Sequence, residues 1–146
     1  MVLIKRATAA DRAEVEHLIA EYHASEHVVP KPEKIAWAVR QILRKRSAGI
    51  LLVAHERKAI RGVALGTFQP SAELGLTLTI HDFYVEPSFR RKGVGNALAK
   101  RLLKEARAMN VEHVDLELFP INTGARTFWE SIGFRPSGRI LYSQEL

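Results

Sequence analysis

Arg90-Arg91-Lys92-Gly93-Val94-Gly95 lies between a strand-like run, Thr77 to Val85, and a helix-like run, Val94 to Met109. The combination reads as a grip for a phosphate-bearing ligand. Glycines let the backbone come close to a ligand, and the opening turn of a helix leaves several N–H groups without intrahelical partners. Three cations stand immediately upstream of that turn, so the expected ligand is a pyrophosphate or similar anion. A Walker loop is excluded, because it needs four residues between its glycines and then Lys-Ser or Lys-Thr, whereas Gly93 and Gly95 are one residue apart and Asn96 follows. The dinucleotide fingerprint is excluded too. It needs a third glycine where Leu98 stands, and its glycines directly follow the strand, whereas here Glu86-Pro87-Ser88-Phe89 intervene.

What remains is an Arg-x-x-Gly-x-Gly loop after a strand ending in Val85-Glu86-Pro87. This resembles the coenzyme A pyrophosphate loop of the GNAT superfamily of N-acetyltransferases. A second segment, Asn122-Thr-Gly-Ala-Arg-Thr-Phe-Trp-Glu-Ser-Ile-Gly-Phe134, is similar to the segment that closes the coenzyme site in that family, matching at Asn122, Ala125, Phe128, Glu130, Gly133 and Phe134. The resemblance covers essentially the whole chain, with its sharp motifs between Thr77 and Phe134 and the first half matched by element order. It implies one domain over residues 1–146 with an α/β fold: a mostly antiparallel mixed sheet of six to seven strands flanked by about four helices.

Composition agrees with one domain and one core, since 47% of the 146 residues are hydrophobic. The chain has no cysteine, which excludes disulfides, thiolate zinc sites and a cysteine acyl intermediate. Lys5 and Arg6 interrupt the apolar start Val2-Leu3-Ile4, and no other apolar run approaches the ~18 residues of a membrane span. A soluble, cytoplasmic protein is expected. The net charge of +6 raises a nucleic-acid role, but the cations concentrate in Lys31 to Arg46 and Arg90 to Arg107 without interleaved aromatics. The first looks like a solvated helix face and the second includes the loop, so nucleic acid is not the expected partner.

Periodicity places the elements. Val2 to Arg6 is a short strand. Thr8-Ala-Ala-Asp11 resembles a capping arrangement before a helix whose inward stripe is Val15, Leu18, Ile19 and Tyr22. Pro30 and Pro32 break the chain before a second helix, about Glu33 to Lys45. Ile50 to Ala54 and Ile60 to Thr67 form a strand pair around the turn His55 to Ala59, and Leu74 to Val85 is the next strand. In the helix after the loop, Val94, Leu98, Leu102, Ala106 and Met109 face the sheet. His113 to Phe119 is a strand, Thr123 to Ile132 a short helix, and Arg139 to Ser143 a last strand.

By resemblance, the strands Ile80 to Val85 and Val114 to Phe119 part to admit the pantetheine arm of acetyl-CoA. Phe83 and Val85 then offer main-chain groups to it, and the Val85 N–H polarises the acetyl carbonyl. The pyrophosphate lies on the amides of Arg91, Gly93, Val94, Gly95 and Asn96 with Arg90, Arg91 and Lys92 as charge partners, and Asn122 bonds the pantetheine. No metal is called for. An attacking amine must also lose a proton. In polyamine-type members a Glu-Asp-Phe-Phe-Val stretch supplies the base; here it reads His81-Asp82-Phe83-Tyr84-Val85. Histidine titrates near neutrality, so His81 is the expected base, with Asp82 the alternative if a bulge shifts the register.

At position 129 the family usually has a tyrosine that protonates the departing thiolate, and this chain has Trp129, whose indole is no practical acid. Water, Tyr84 or Tyr142 would have to substitute. His23-Ala-Ser-Glu-His27 spells an inverted zinc-protease string; it sits where Pro30 and Pro32 end the helix and lacks an evident third ligand, so it is read as accidental. In the GNAT arrangement this region borders the acceptor pocket, where Glu14, Glu21 and Glu26 would suit a polyamine or other cationic amine. The expected function is direct acetyl transfer from acetyl-CoA to a primary amine on a small molecule or peptide. The alternative is a non-catalytic acyl-CoA-binding regulatory module, and a homodimer is left open.

Overall fold

Ile50-Leu51-Leu52-Val53-Ala54 is buried without a break, as a strand covered on both faces requires. In the computed structural model, which describes residues 1–146, that run belongs to one five-stranded sheet whose strands lie side by side in chain order. The elements are β1 (Leu3–Arg6), α1 (Arg12–Ser25), α2 (Pro32–Arg44), β2 (Gly49–Glu56), β3 (Ala59–Ser71), β4 (Gly75–Val85), α3 (Val94–Ala108), β5 (His113–Leu116) and α4 (Thr123–Ile132). Neighbours from β1 to β4 pair antiparallel, and β4 pairs with β5 in parallel. A parallel pair needs a crossover, and α3 supplies it.

Alternation along β2 divides the core. Leu51 and Val53 face α1 and α2, packing with Val15, Leu18, Ile19, Ile35 and Val39. Ile50 and Leu52 face the other way, toward Leu98, Ala99 and Leu102 of α3 and Trp129 of α4. The result is three layers, with helices on both sides of the sheet. Local signals start the helices where the sequence places them. The Thr8 N–H donates to Asp11 Oδ2 at 2.8 Å in a short 3-10 turn that leads into α1. Pro32 occupies the first turn of α2, where its missing N–H costs nothing.

The sheet has five strands, not six or seven. The expected last strand, Arg139 to Ser143, carries no regular structure, and Ile140, Leu141 and Tyr142 are 68–87% exposed. Its residues favour strand, but that propensity expresses packing against neighbours, and none is present to supply it. The strand expected over His113 to Phe119 ends at Leu116 because its partner has turned away beyond that point.

Candidate active site

The parallel pairing runs from Thr77 opposite His113 to Ile80 opposite Leu116 and stops there. Beyond it β4 continues to Val85, paired only with β3. The gap opens into a groove of about 1250 Å³ walled by Ile80 to Val85 on one side and Leu116 to Phe119 on the other. Arg90, Arg91, Gly93, Gly95 and Asn96 border the same groove, as do Tyr22, His23 and Glu26.

The glycine loop is shaped by two left-handed residues, Arg91 at φ 60° and Gly93 at φ 83°. The first helical bond of α3 is Ala97 N–H to Gly93 O at 3.0 Å, which leaves the amides of Val94, Gly95 and Asn96 without intrahelical partners. No acidic residue occupies that turn, so the positive end of the helix dipole is uncompensated. A Cβ on Gly93 would meet nothing within 4 Å, so this residue faces open space. Gly95 differs. A Cβ there would stand 3.3 Å from Phe128 Cε1, so its hydrogen lets α3 pack against α4.

Not every expected cation points at the groove. Lys92 lies over the Phe89 ring at 5.2 Å, and the Val94 side chain is buried with Ala54 and Val85. Arg90 turns back. Its Nε donates to the Val85 carbonyl at 2.8 Å, and its guanidinium sits 5.2 Å from the Tyr84 ring centre. Arg91 also borders the groove and is exposed, and its side chain, unlike that of Arg90, makes no hydrogen bond back to β4.

A bulge decides where the candidate bases go. Leu65 of β3 pairs with Asp82 and Gly66 with Ile80, so His81 is an extra residue. Before the bulge, Leu78 and Ile80 face α3; after it, Tyr84 faces α1 and Phe83 packs on the α3 side. Asp82 is thereby delivered to the α1 side, where its Oδ1 lies 2.7 Å from Nε2 of His23. His81 is exposed, and its Nε2 lies 2.7 Å from Thr67 Oγ1. His23, Asp82 and His81 all border the groove.

Tyr22 stands beside that pair. Burial, followed by the negative charges of Glu26 and Asp82, pushes its phenol up to about 12. Burial and the nearby Glu21 also raise Tyr84, whose hydroxyl lies 3.5 Å from Glu21 Oε2. Both phenols therefore stay protonated at neutral pH. An unfolded chain releases the Tyr22 proton from about pH 10, whereas the folded chain holds it to about 12, so folding stability falls as pH rises through that window. Denaturant melts of the wild type and Tyr22→Phe between pH 8 and 12 should diverge only above about pH 10, with the wild type losing stability faster.

Asn122 is already engaged. Its Oδ1 accepts from the Ala125 N–H at 3.0 Å, capping α4, and its Nδ2 donates to Glu26 at 2.7 Å, leaving one N–H free for a ligand. The His-x-x-Glu-His string is pulled apart by these bonds, since His23 meets Asp82 while Glu26 meets Asn122. Glu14 does not join the groove; it accepts the Ile60 N–H at 3.0 Å. Glu21 is taken up by His17 and Tyr84. Of the three expected acidic residues, only Glu26 borders the groove.

A family model for the acetyltransferase (GNAT) family matches residues 14–134. The chain belongs to the GNAT family. A curated relative, an uncharacterized N-acetyltransferase of Methanocaldococcus jannaschii, is 25% identical over 99 residues; the match takes in 67% of this chain and 44% of that protein. The chain thus spans less than half of that relative's length. Among solved structures, an integron cassette protein from the mobile metagenome of Cole Harbour Salt Marsh superposes with a TM-score of 0.86 at 24% identity, covering 98% of this chain and 90% of that one. An aminoglycoside N-acetyltransferase in complex with CoA superposes at 0.84 with 14% identity, covering 99% and 95%. At these identities the superpositions establish a shared GNAT fold.

Where the GNAT pattern has a tyrosine, Trp129 is 5% exposed. Its ring centre lies 4.8 Å from that of Phe83, 5.0 Å from Phe128 and 5.1 Å from Phe134. It holds α4 against the sheet through edge-to-face contacts. Tyr142, one expected substitute acid, is 87% exposed and does not border the groove; Tyr84 does. His23 is the site residue that sequence pattern missed. Its partner lies 59 positions away, and its only local signal was membership of the His-x-x-Glu-His string.

Proposed function

We propose that residues 1–146 form a single acetyl-CoA-dependent N-acetyltransferase domain that passes the acetyl group directly to a primary amine. One observation carries this: the unpaired end of β4, the free amides of α3 and the His23–Asp82 pair all border one groove. Support comes from the aminoglycoside N-acetyltransferase that shares the fold and was crystallised with CoA.

In this scheme the pyrophosphate rests on the amides of Val94, Gly95 and Asn96 with Arg91 as its counter-charge, and the pantetheine lies along Phe83 to Val85. The Val85 N–H polarises the acetyl carbonyl and stabilises the oxyanion; such a donor contributes on the order of 3 kcal/mol to the transition state. Arg90 holds the Val85 carbonyl and so steadies that peptide's neighbour. The amine nitrogen attacks the thioester carbon, and a tetrahedral intermediate forms. Asp82 accepts the amine's proton with His23 as the adjoining proton site. Collapse of the intermediate breaks the C–S bond, and the thiolate takes its proton from water, the Trp129 indole being no practical acid.

The decisive assay is thiol release from acetyl-CoA over a panel of primary amines, run beside calorimetric binding of acetyl-CoA. Turnover with any amine is the expected result. The buried Trp129 favours one other scheme, a regulatory acyl-CoA-binding module, for which the assay would show tight binding and no thiol release with any amine. Absence of binding would overturn both.

A further inference from the structure

A second cavity opens beside the groove. Its volume is about 210 Å³, and His23, Val28 and Asp82 line both spaces. The proton-accepting pair therefore forms the shared wall, with the coenzyme groove on one side and this cavity on the other. Chemistry at Asp82 needs an acceptor approaching from the side opposite the coenzyme, and the cavity is placed to hold it.

The lining differs from the acidic pocket that the sequence suggests. Ile19, Val29, Ile35, Val39 and Leu65 make it apolar, and its charged residues besides Asp82 and His23 are two lysines, Lys31 and Lys34. Asp82 is 15% exposed in its side chain, whereas both lysines stand at the surface. An occupant thus meets a largely buried carboxylate, an aliphatic wall and two surface cations within one small space. A polyamine or an aminoglycoside would set a second cation against the lysines and strand charged groups on the apolar wall, which is costly. The cavity is also smaller than the roughly 300–1,000 Å³ of sites that enclose drug-sized ligands.

From this we infer that the acceptor is a small amino acid with an apolar side chain: its amine meets Asp82, its side chain packs on the aliphatic wall, and its carboxylate meets Lys31 and Lys34. This rests on the acetyltransferase function proposed above and narrows its substrate class. The reaction balances as amine plus acetyl-CoA giving N-acetyl amino acid plus coenzyme A thiol.

The test compares leucine, methionine and phenylalanine with leucinamide, glycine, spermidine and an aminoglycoside in the thiol-release assay, with acetyl-CoA binding measured separately. Apolar amino acids should be the best acceptors, with kcat/KM about tenfold or more above leucinamide, which keeps the amine and side chain but lacks the anion; tenfold is what a partly exposed charge contact can supply. Lys31→Gln with Lys34→Gln should raise KM for leucine and close most of its gap to leucinamide, while thermal melting stays unchanged. Preference for spermidine or an aminoglycoside overturns the inference and leaves the acetyltransferase function standing. So does a gap between leucine and leucinamide that survives the double substitution. Acetyl-CoA binding without turnover of any acceptor overturns both the inference and the catalytic scheme, and failure to bind acetyl-CoA overturns the coenzyme site itself.

Discussion

Gly93→Glu is expected to raise the Kd for acetyl-CoA at least about 100-fold, equivalent to about 2.7 kcal/mol, while the protein stays folded. The folded half of that result follows from the site's geometry. A Cβ at Gly93 meets no atom within 4 Å, so the new side chain clashes with nothing. The left-handed φ of 83° costs a non-glycine residue about 1–2 kcal/mol, well inside the roughly 5–15 kcal/mol by which domains are stable. The binding half follows from charge. The substitution places a carboxylate at the mouth of three unpartnered amides, where a pyrophosphate is proposed to sit. Two unit charges 4 Å apart near a protein surface repel by about 4 kcal/mol. Calorimetry gives the affinity, and circular dichroism with thermal melting gives the fold. An unchanged Kd would mean that the pyrophosphate lies elsewhere.

Asp82→Asn is expected to lower kcat by about 10²- to 10⁴-fold, the usual contribution of general acid–base catalysis, without altering acetyl-CoA affinity. The amide keeps the side chain's shape and can still bond His23, so the 2.7 Å contact need not be lost. What disappears is the proton acceptor. Acetylation rates at saturating acetyl-CoA, beside the measured Kd, separate the two effects. His81→Ala serves as the comparison, because that ring is exposed and lies against Thr67; its activity should stay within about twofold of the wild type. A collapse in His81→Ala with little change in Asp82→Asn would reverse the assignment of the base.

That assignment shows what a linear reading can and cannot deliver. Strict alternation along β4 would put His81 on the same face as Phe83 and Val85 and turn Asp82 away. One extra residue in the register inverts the pattern from Asp82 onward. Nothing in His81-Asp82-Phe83-Tyr84-Val85 marks the bulge, since a bulge reflects how β4 fits β3 and not the propensity of five residues. Bonding partners likewise decide the acidic residues, for Glu14 and Glu21 are spent on Ile60 and on His17 with Tyr84. The tail illustrates the same limit. Ile140-Leu141-Tyr142 has strand-forming residues and forms no strand, because that propensity is expressed only where the side chains pack, and these stand exposed.

The sequence by itself determined the family, the order of helices and strands through α4, and the loop at Gly93 and Gly95. These depend on local chemistry: apolar period, turn residues, helix starts, and glycine where the backbone takes a left-handed turn. Only the tertiary structure decided that His23 faces Asp82 and that Arg90 turns back to the Val85 carbonyl. It also decided that Lys31 and Lys34 flank an apolar cavity sharing a wall with the coenzyme groove. Apart from the Arg90 bond, which spans five residues, those relations join α1, the turn after it and α2 to β4 across tens of residues. They are fixed by packing and by a register shift, neither of which leaves a local mark in the chain.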